Sequence, residues 1–152
     1  MKNNIKVAII GCGRVSGHHC RSIEEIKGIE LAAVCDLKIE KANNYREQFG
    51  AKAYDNYHQM LQENPQIDIV AVITPSGMHY EHTLDIISHY QKHIIVEKPT
   101  FLKPSQVSEV YETADDAGVQ VFAVFQNRHN LAVKRVEQGL KSDELGQIRC
   151  VS

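Results

Sequence analysis

Four short groups of residues in this 152-residue chain have types and spacings that could do chemistry. The first is Gly11-Cys12-Gly13-Arg14-Val15-Ser16, a G-x-G-x-x-G pattern with serine in the third small position. Its first glycine permits a tight turn, and its second lets the backbone approach a pyrophosphate at a helix N-terminus. The third position needs only a small residue for close helix–sheet packing, which Ser16, followed by Gly17, provides. Alone the pattern is weak, but here an apolar run precedes it and an amphipathic one follows. The second group is Asp36, which closes Ala32-Ala33-Val34-Cys35 about 25 residues after Gly11, near the roughly 20 expected of a ribose-binding acid. A carboxylate there accepts hydrogen bonds from adenosine ribose hydroxyls and repels a 2′-phosphate, so it favours NAD over NADP. Leu37 stands where an NADP enzyme often has a cation or hydroxyl, although Lys38 pulls the other way. Asp36 could equally cap the helix that follows.

The third group, Thr74-Pro75-Ser76-Gly77-Met78-His79, follows an apolar run, at the strand end where open α/β sheets bind ligands. Pro75 and Gly77 shape a turn along which a cofactor could lie. His79 either faces the nicotinamide half of such a cofactor or caps and packs the next helix. His79 and His82 share one helix face, but no third ligand accompanies them, so no metal site is expected. His18 and His19 fall on the first helix, with one face solvated. The fourth group is Glu97-Lys98-Pro99. A lysine at a strand end, beside a carboxylate, can hold a substrate hydroxyl and assist its deprotonation during hydride transfer. The bland alternative is a weak surface ion pair, against which Pro99 argues by fixing the turn that presents the lysine.

These groups need a scaffold, and the apolar pattern supplies one. Short apolar runs alternate with longer amphipathic ones, the signature of a parallel sheet covered by helices. Strands are predicted at residues 5–10, 30–35, 51–54, 68–73, 93–97 and 119–125. Helices are predicted to about residue 26 and over 38–49, 55–63, 76–90, 104–117 and 130–141. Asp55 is the expected cap of the third helix, and Gly50 and Gly118 end the second and fifth. The stretch from Gly146 to Ser152 alternates like another strand and stops mid-pattern, so truncation is expected.

Composition narrows the partners. The chain is 43% hydrophobic and 24% charged, with a formal net charge of −2. No basic footprint for nucleic acid is present, and no apolar run reaches the roughly 18–20 residues that span a bilayer. The N-terminus leads directly into the first strand without a cleavage site. Cys12, Cys20, Cys35 and Cys150 form no C-x-x-C pair, which fits reduced thiols in a cytoplasmic protein.

Taken together, G-C-G-R with an acid after the second strand, T-P-S-x-x-H after the fourth and E-K-P after the fifth resemble the Gfo/Idh/MocA oxidoreductases. The resemblance covers essentially the whole chain and implies a Rossmann-type doubly wound α/β fold with helices on both faces. Phe125-Gln126-Asn127-Arg128-His129-Asn130 resembles the branch that oxidises UDP-N-acetylglucosaminuronic acid at C3 for bacterial surface-polysaccharide (lipopolysaccharide) biosynthesis. The resemblance implies NAD held by Gly11, Cys12, Gly13, Arg14, Val15, Asp36, Ser76, His79, Glu97 and Gln126. Thr74, Pro75 and Lys98 join that set as neighbours. It further implies Lys98 as the catalytic lysine, with Asn127 and Arg128 near the substrate. Arg128 suits an acidic nucleotide sugar, since guanidinium grips carboxylate or phosphate bidentately.

The expected organisation is a dinucleotide domain over residues 1–125. Residues 126–152 are then a helix and the start of a truncated α+β substrate domain. That missing domain would supply a catalytic histidine, cover apolar surface and mediate homo-oligomers. Two other classes remain: an NAD-sensing regulatory module, which has no use for Lys98, and a methyltransferase, which has no place for the third and fourth groups.

Overall fold

A computed structural model describes residues 4–147. The strands are β1 (Ile5–Ile10), β2 (Ile29–Cys35), β3 (Lys52–Tyr54), β4 (Ile69–Val72), β5 (His93–Val96) and β6 (Val121–Ala123). They form one all-parallel sheet in the order β3-β2-β1-β4-β5-β6. The helices are α1 (Ser16–Glu25), α2 (Ile39–Phe49), α3 (Tyr57–Glu63), α4 (His79–Tyr90), α5 (Pro104–Ala117) and α6 (Leu131–Lys141). This is the helix-covered parallel sheet that the alternating pattern predicts, in the doubly wound Rossmann-type order that the resemblance implies.

Strand alternation explains the two helical layers. In β1, Ala8 and Ile10 face the layer containing α3, α4 and α5, while Ile9 faces that of α1 and α2. In β2, Ala33 and Cys35 oppose Val34, and in β4, Val70 and Val72 oppose Ala71. Both faces are apolar because both are covered, so the strands read as continuous hydrophobic runs. Strand order reverses between β1 and β4, and their carboxyl ends part there to open a crevice.

Four boundaries depart from the sequence reading. The cap of α3 is Asn56, not Asp55: its side chain accepts the His58 and Gln59 amides at 2.9 and 3.1 Å. The helix expected from Ser76 begins as a 3-10 turn over Ser76–Met78, and α-helical bonding starts at His79. The sixth strand is only three residues long. Val119 is buried in the core before it, and Phe125 beyond it leads into a second 3-10 turn, Gln126–His129. The strand expected near the C-terminus, with Cys150, lies outside the described residues.

Gly50 ends α2 with φ of 71°, the left-handed geometry anticipated for a helix C-terminal glycine. Beyond the sheet, α6 adjoins the Gln126–His129 turn and leaves Leu131, Val133, Val136 and Leu140 exposed. No helix among the described residues is long and apolar enough to cross a membrane.

Candidate cofactor and active site

The turn between β1 and α1 is held by hydrogen bonds from within itself and from β2, Asp36 and α2. Gly11 donates to the Cys35 carbonyl at 2.8 Å and has φ of +94°. A Cβ at this position would stand 2.5 Å from the Ile73 carbonyl oxygen, so glycine is required by the backbone that follows β4 as well as by the turn. Ser16 is fully buried, and its hydroxyl donates to the Gly11 carbonyl. Gly13 differs from Gly11: a Cβ there would meet nothing within 4 Å. Its carbonyl accepts the Ser16 amide at 3.2 Å and the Tyr45 hydroxyl at 2.7 Å. The Gly13, Arg14 and Val15 N–H groups have no acceptor among the described residues. They crown the N-terminus of the ten-residue α1, where unsatisfied amides and the helix dipole favour an anion.

Asp36 performs a double task. Its Oδ2 accepts the Cys12 amide at 2.9 Å and its Oδ1 accepts the Lys38 amide at 2.9 Å. The carboxylate thus ties the glycine turn to the entrance of α2, whose own N-cap, Lys38, makes no side-chain cap bond. Each oxygen keeps lone-pair capacity for a ribose hydroxyl.

A cleft of about 570 Å³ lies over the switch point. Gly11, Gly13, Asp36, Tyr57, Thr74, Pro75, Met78 and His82 are among its walls. Burial lowers the His82 pKa from its ordinary 6.5, and its Nδ1 lies 3.1 Å from the Thr74 hydroxyl. The cleft therefore combines a free amide cluster, a carboxylate at one end and an apolar bed, which suits a dinucleotide.

His79 has a different setting from the one expected beside nicotinamide. It is buried, with Nε2 at 2.7 Å from the Thr74 carbonyl and Nδ1 at 2.8 Å from the Pro99 carbonyl. Both ring nitrogens face backbone, so the ring joins the β4 and β5 loops and is absent from the cleft wall. Of its two readings, packing is the one its contacts favour. Ser76 is exposed at the start of its 3-10 turn.

Glu97 is buried, and its Oε1 lies 2.8 Å from His19 Nε2 on α1. Its Oε2 accepts the Lys98 backbone amide at 3.0 Å. Lys98 is exposed, and its bond to Pro99 is cis. The His19 contact was missed in the sequence, since 78 residues separate the partners. Its one available signal was a histidine between buried Ser16 and Cys20 on the helix that starts at the glycine turn.

Gln126, Asn127 and Arg128 are exposed on the 3-10 turn after β6. Gln126 and Arg128 line a shallow hollow with Val124, Phe125 and His129, and the Arg128 guanidinium lies 5.7 Å from the Phe125 ring centroid. This hollow shares no lining residue with the main cleft, and Glu97 and Lys98 belong to neither. The structure thus gathers the glycine turn, Asp36, Thr74 and Pro75 around the cleft, and sets the E-K-P group at the adjacent end of β5, with the Q-N-R turn following β6 beside it.

The thiols near the turn are inert. Burial, with Asp36 nearby, pushes Cys12 and Cys35 up to about 12, and burial pushes Cys20 up to about 11. Among the described residues no group of three His, Cys, Asp or Glu side chains is placed to hold a metal ion.

The model of the oxidoreductase family with an NAD-binding Rossmann fold, Gfo/Idh/MocA, matches residues 5–125. The chain belongs to the Gfo/Idh/MocA family. As a member it is an NAD-binding domain of the oxidoreductase class. Similar family members include the D-glucoside 3-dehydrogenase of Escherichia coli K12, 32% identical over 95% of this chain and 41% of that protein. The glucose-6-phosphate 3-dehydrogenase of Bacillus subtilis is 27% identical over 94% and 40%. The WlbA dehydrogenase of Bordetella pertussis, solved with NADH and UDP-GlcNAcA, superposes with a TM-score of 0.89. It is 27% identical, over 97% of this chain and 42% of its own. The chain thus spans about two fifths of the length of these relatives.

Proposed function

We propose that this chain is the cofactor domain of an NAD-dependent dehydrogenase that oxidises a secondary alcohol of a sugar or nucleotide sugar. UDP-N-acetylglucosaminuronic acid, oxidised at C3, is the substrate this reading favours, supported by the likeness to WlbA and by the Gln126-Asn127-Arg128 run. In this reading the Gly13, Arg14 and Val15 amides receive the pyrophosphate, with Gly11 and Cys12 shaping the turn. Asp36 receives the adenosine ribose, and Thr74, Pro75 and Ser76 border the cofactor. Glu97 and Gln126 flank its nicotinamide end, while His79 holds the two loops there in register. Bound NAD supplies the hydride acceptor. Lys98 holds the substrate hydroxyl and assists loss of its proton, and Asn127 and Arg128 hold the acidic end of the substrate.

The observation that carries this reading is Lys98 itself. It is exposed at the carboxyl end of β5, directly after a buried glutamate whose carboxylate is fixed on both oxygens. A purely cofactor-sensing module has no use for that arrangement. Three buried free thiols accord with a reducing, cytoplasmic compartment, and homo-oligomerisation of the whole protein belongs to the same proposal. The test is Lys98→Met in the full-length protein, with turnover and NADH affinity measured separately. Turnover is expected to fall about 100-fold or more while the NADH Kd stays within about twofold. Equal loss of both would make Lys98 a structural residue.

A further inference from the structure

The second helix grips the glycine turn at two points. At its entrance Asp36 accepts the Cys12 amide, and two turns further on Tyr45 donates its hydroxyl to the Gly13 carbonyl at 2.7 Å. The second contact governs an adjacent group, because the Gly13 carbonyl and the Arg14 N–H belong to one planar peptide and point in opposite directions. The Gly13 oxygen also accepts the Ser16 amide at 3.2 Å, so it points into the first turn of α1. The Arg14 N–H must then point off the N-terminus of that helix, where an anion is received. Among the described residues the Tyr45 hydroxyl and the longer Ser16 contact are the groups that hold this peptide in that sense, and the tyrosine makes the shorter bond. Gly13 has no Cβ to restrict its ψ, and a reversed peptide would present a carbonyl oxygen to the phosphates instead of an N–H.

Tyr45 is itself well placed for the task. Its ring stacks on Phe49 at 5.8 Å, and its hydroxyl lies beside Gly17 in the first turn of α1. Burial raises the phenol pKa above its ordinary 10, so the hydroxyl keeps its proton. We infer that Tyr45 is a positioning residue for the cofactor pyrophosphate: it acts through the Gly13 carbonyl to aim the Arg14 amide. The inference rests on cofactor binding alone and is independent of the role proposed for Lys98.

The test is Tyr45→Phe, which keeps the ring and its stacking and removes only the hydroxyl. The chain is titrated with ADP-ribose, which carries a pyrophosphate, and with adenosine, which does not. The Kd for ADP-ribose is expected to rise about three- to tenfold, as for one lost hydrogen bond, while the adenosine Kd is unchanged. The amide resonance of Arg14 should also move on ADP-ribose binding in the wild type, and move less in the variant. Unchanged ADP-ribose affinity overturns the inference. So does equal weakening of both ligands, which would mean that the hydroxyl only steadies the domain. A fall in melting temperature with an unaltered ADP-ribose Kd overturns it in the same way.

Discussion

Gly11 and Gly13 stand two residues apart in one turn, yet the structure separates their duties. Gly11 has a positive φ and lies against the Ile73 carbonyl, whereas the space in front of Gly13 is open. Gly11→Ala should therefore strike the fold, at a cost of about 3 kcal/mol or more from backbone strain and overlap. Gly13→Ala should leave melting nearly unchanged and weaken NADH binding at least tenfold, because its methyl group projects into the ligand's space. Paired thermal melts and NADH titrations check this. If Gly13→Ala also unfolds the chain, the division of duties is wrong. The sequence pattern names both glycines but cannot rank them, because the Ile73 oxygen that constrains Gly11 comes from the residue after β4, some 60 positions away.

At the scale of the element, helix signals were legible where they were local. Gly50 after α2, Pro104 at the start of α5 and Gly118 at its end all act within a turn of the residues they terminate or begin. The third helix shows the limit. Asp55 and Asn56 are both good caps in sequence, and the choice depends on which backbone position leaves the strand direction first. The structure selects Asn56, whose side chain takes two amides. Asn56→Ala is expected to destabilise the domain by about 1 kcal/mol, and Asp55→Ala by clearly less. Urea unfolding of the two variants decides the matter, and the reverse order would return the cap to Asp55. His79 makes the same point from the other side. Its position after T-P-S invited a cofactor role, but two carbonyls from different loops occupy its ring.

At the scale of the molecule, one sheet and its two helical layers contain both buried core clusters of the described residues, and α6 contributes to neither. Only Gly139 of that helix is buried, and its apolar residues face outward. We propose for this reason that the dinucleotide domain ends after Phe125. A chain of residues 1–125 should unfold cooperatively, with a melting temperature within about 5 °C of that of the longer chain, as for a change of about 1 kcal/mol or less. Loss of cooperative unfolding would show that the last segment belongs to the domain.

The sequence by itself determined the fold class, the order of elements and the cofactor class. Those follow from periodicity and from motifs whose parts lie within a few residues of one another, such as the glycine turn and Asp36 at a strand end. Tertiary structure alone decided which side chains hold those motifs in working order. Tyr45 reaches Gly13 from another helix, His19 fixes Glu97 across the sheet edge, and His79 clasps two loops. Each is a contact between residues 5 to 78 positions apart, made as layers pack. Local patterning specifies which face a side chain is on, and only the packed layers specify what stands opposite it.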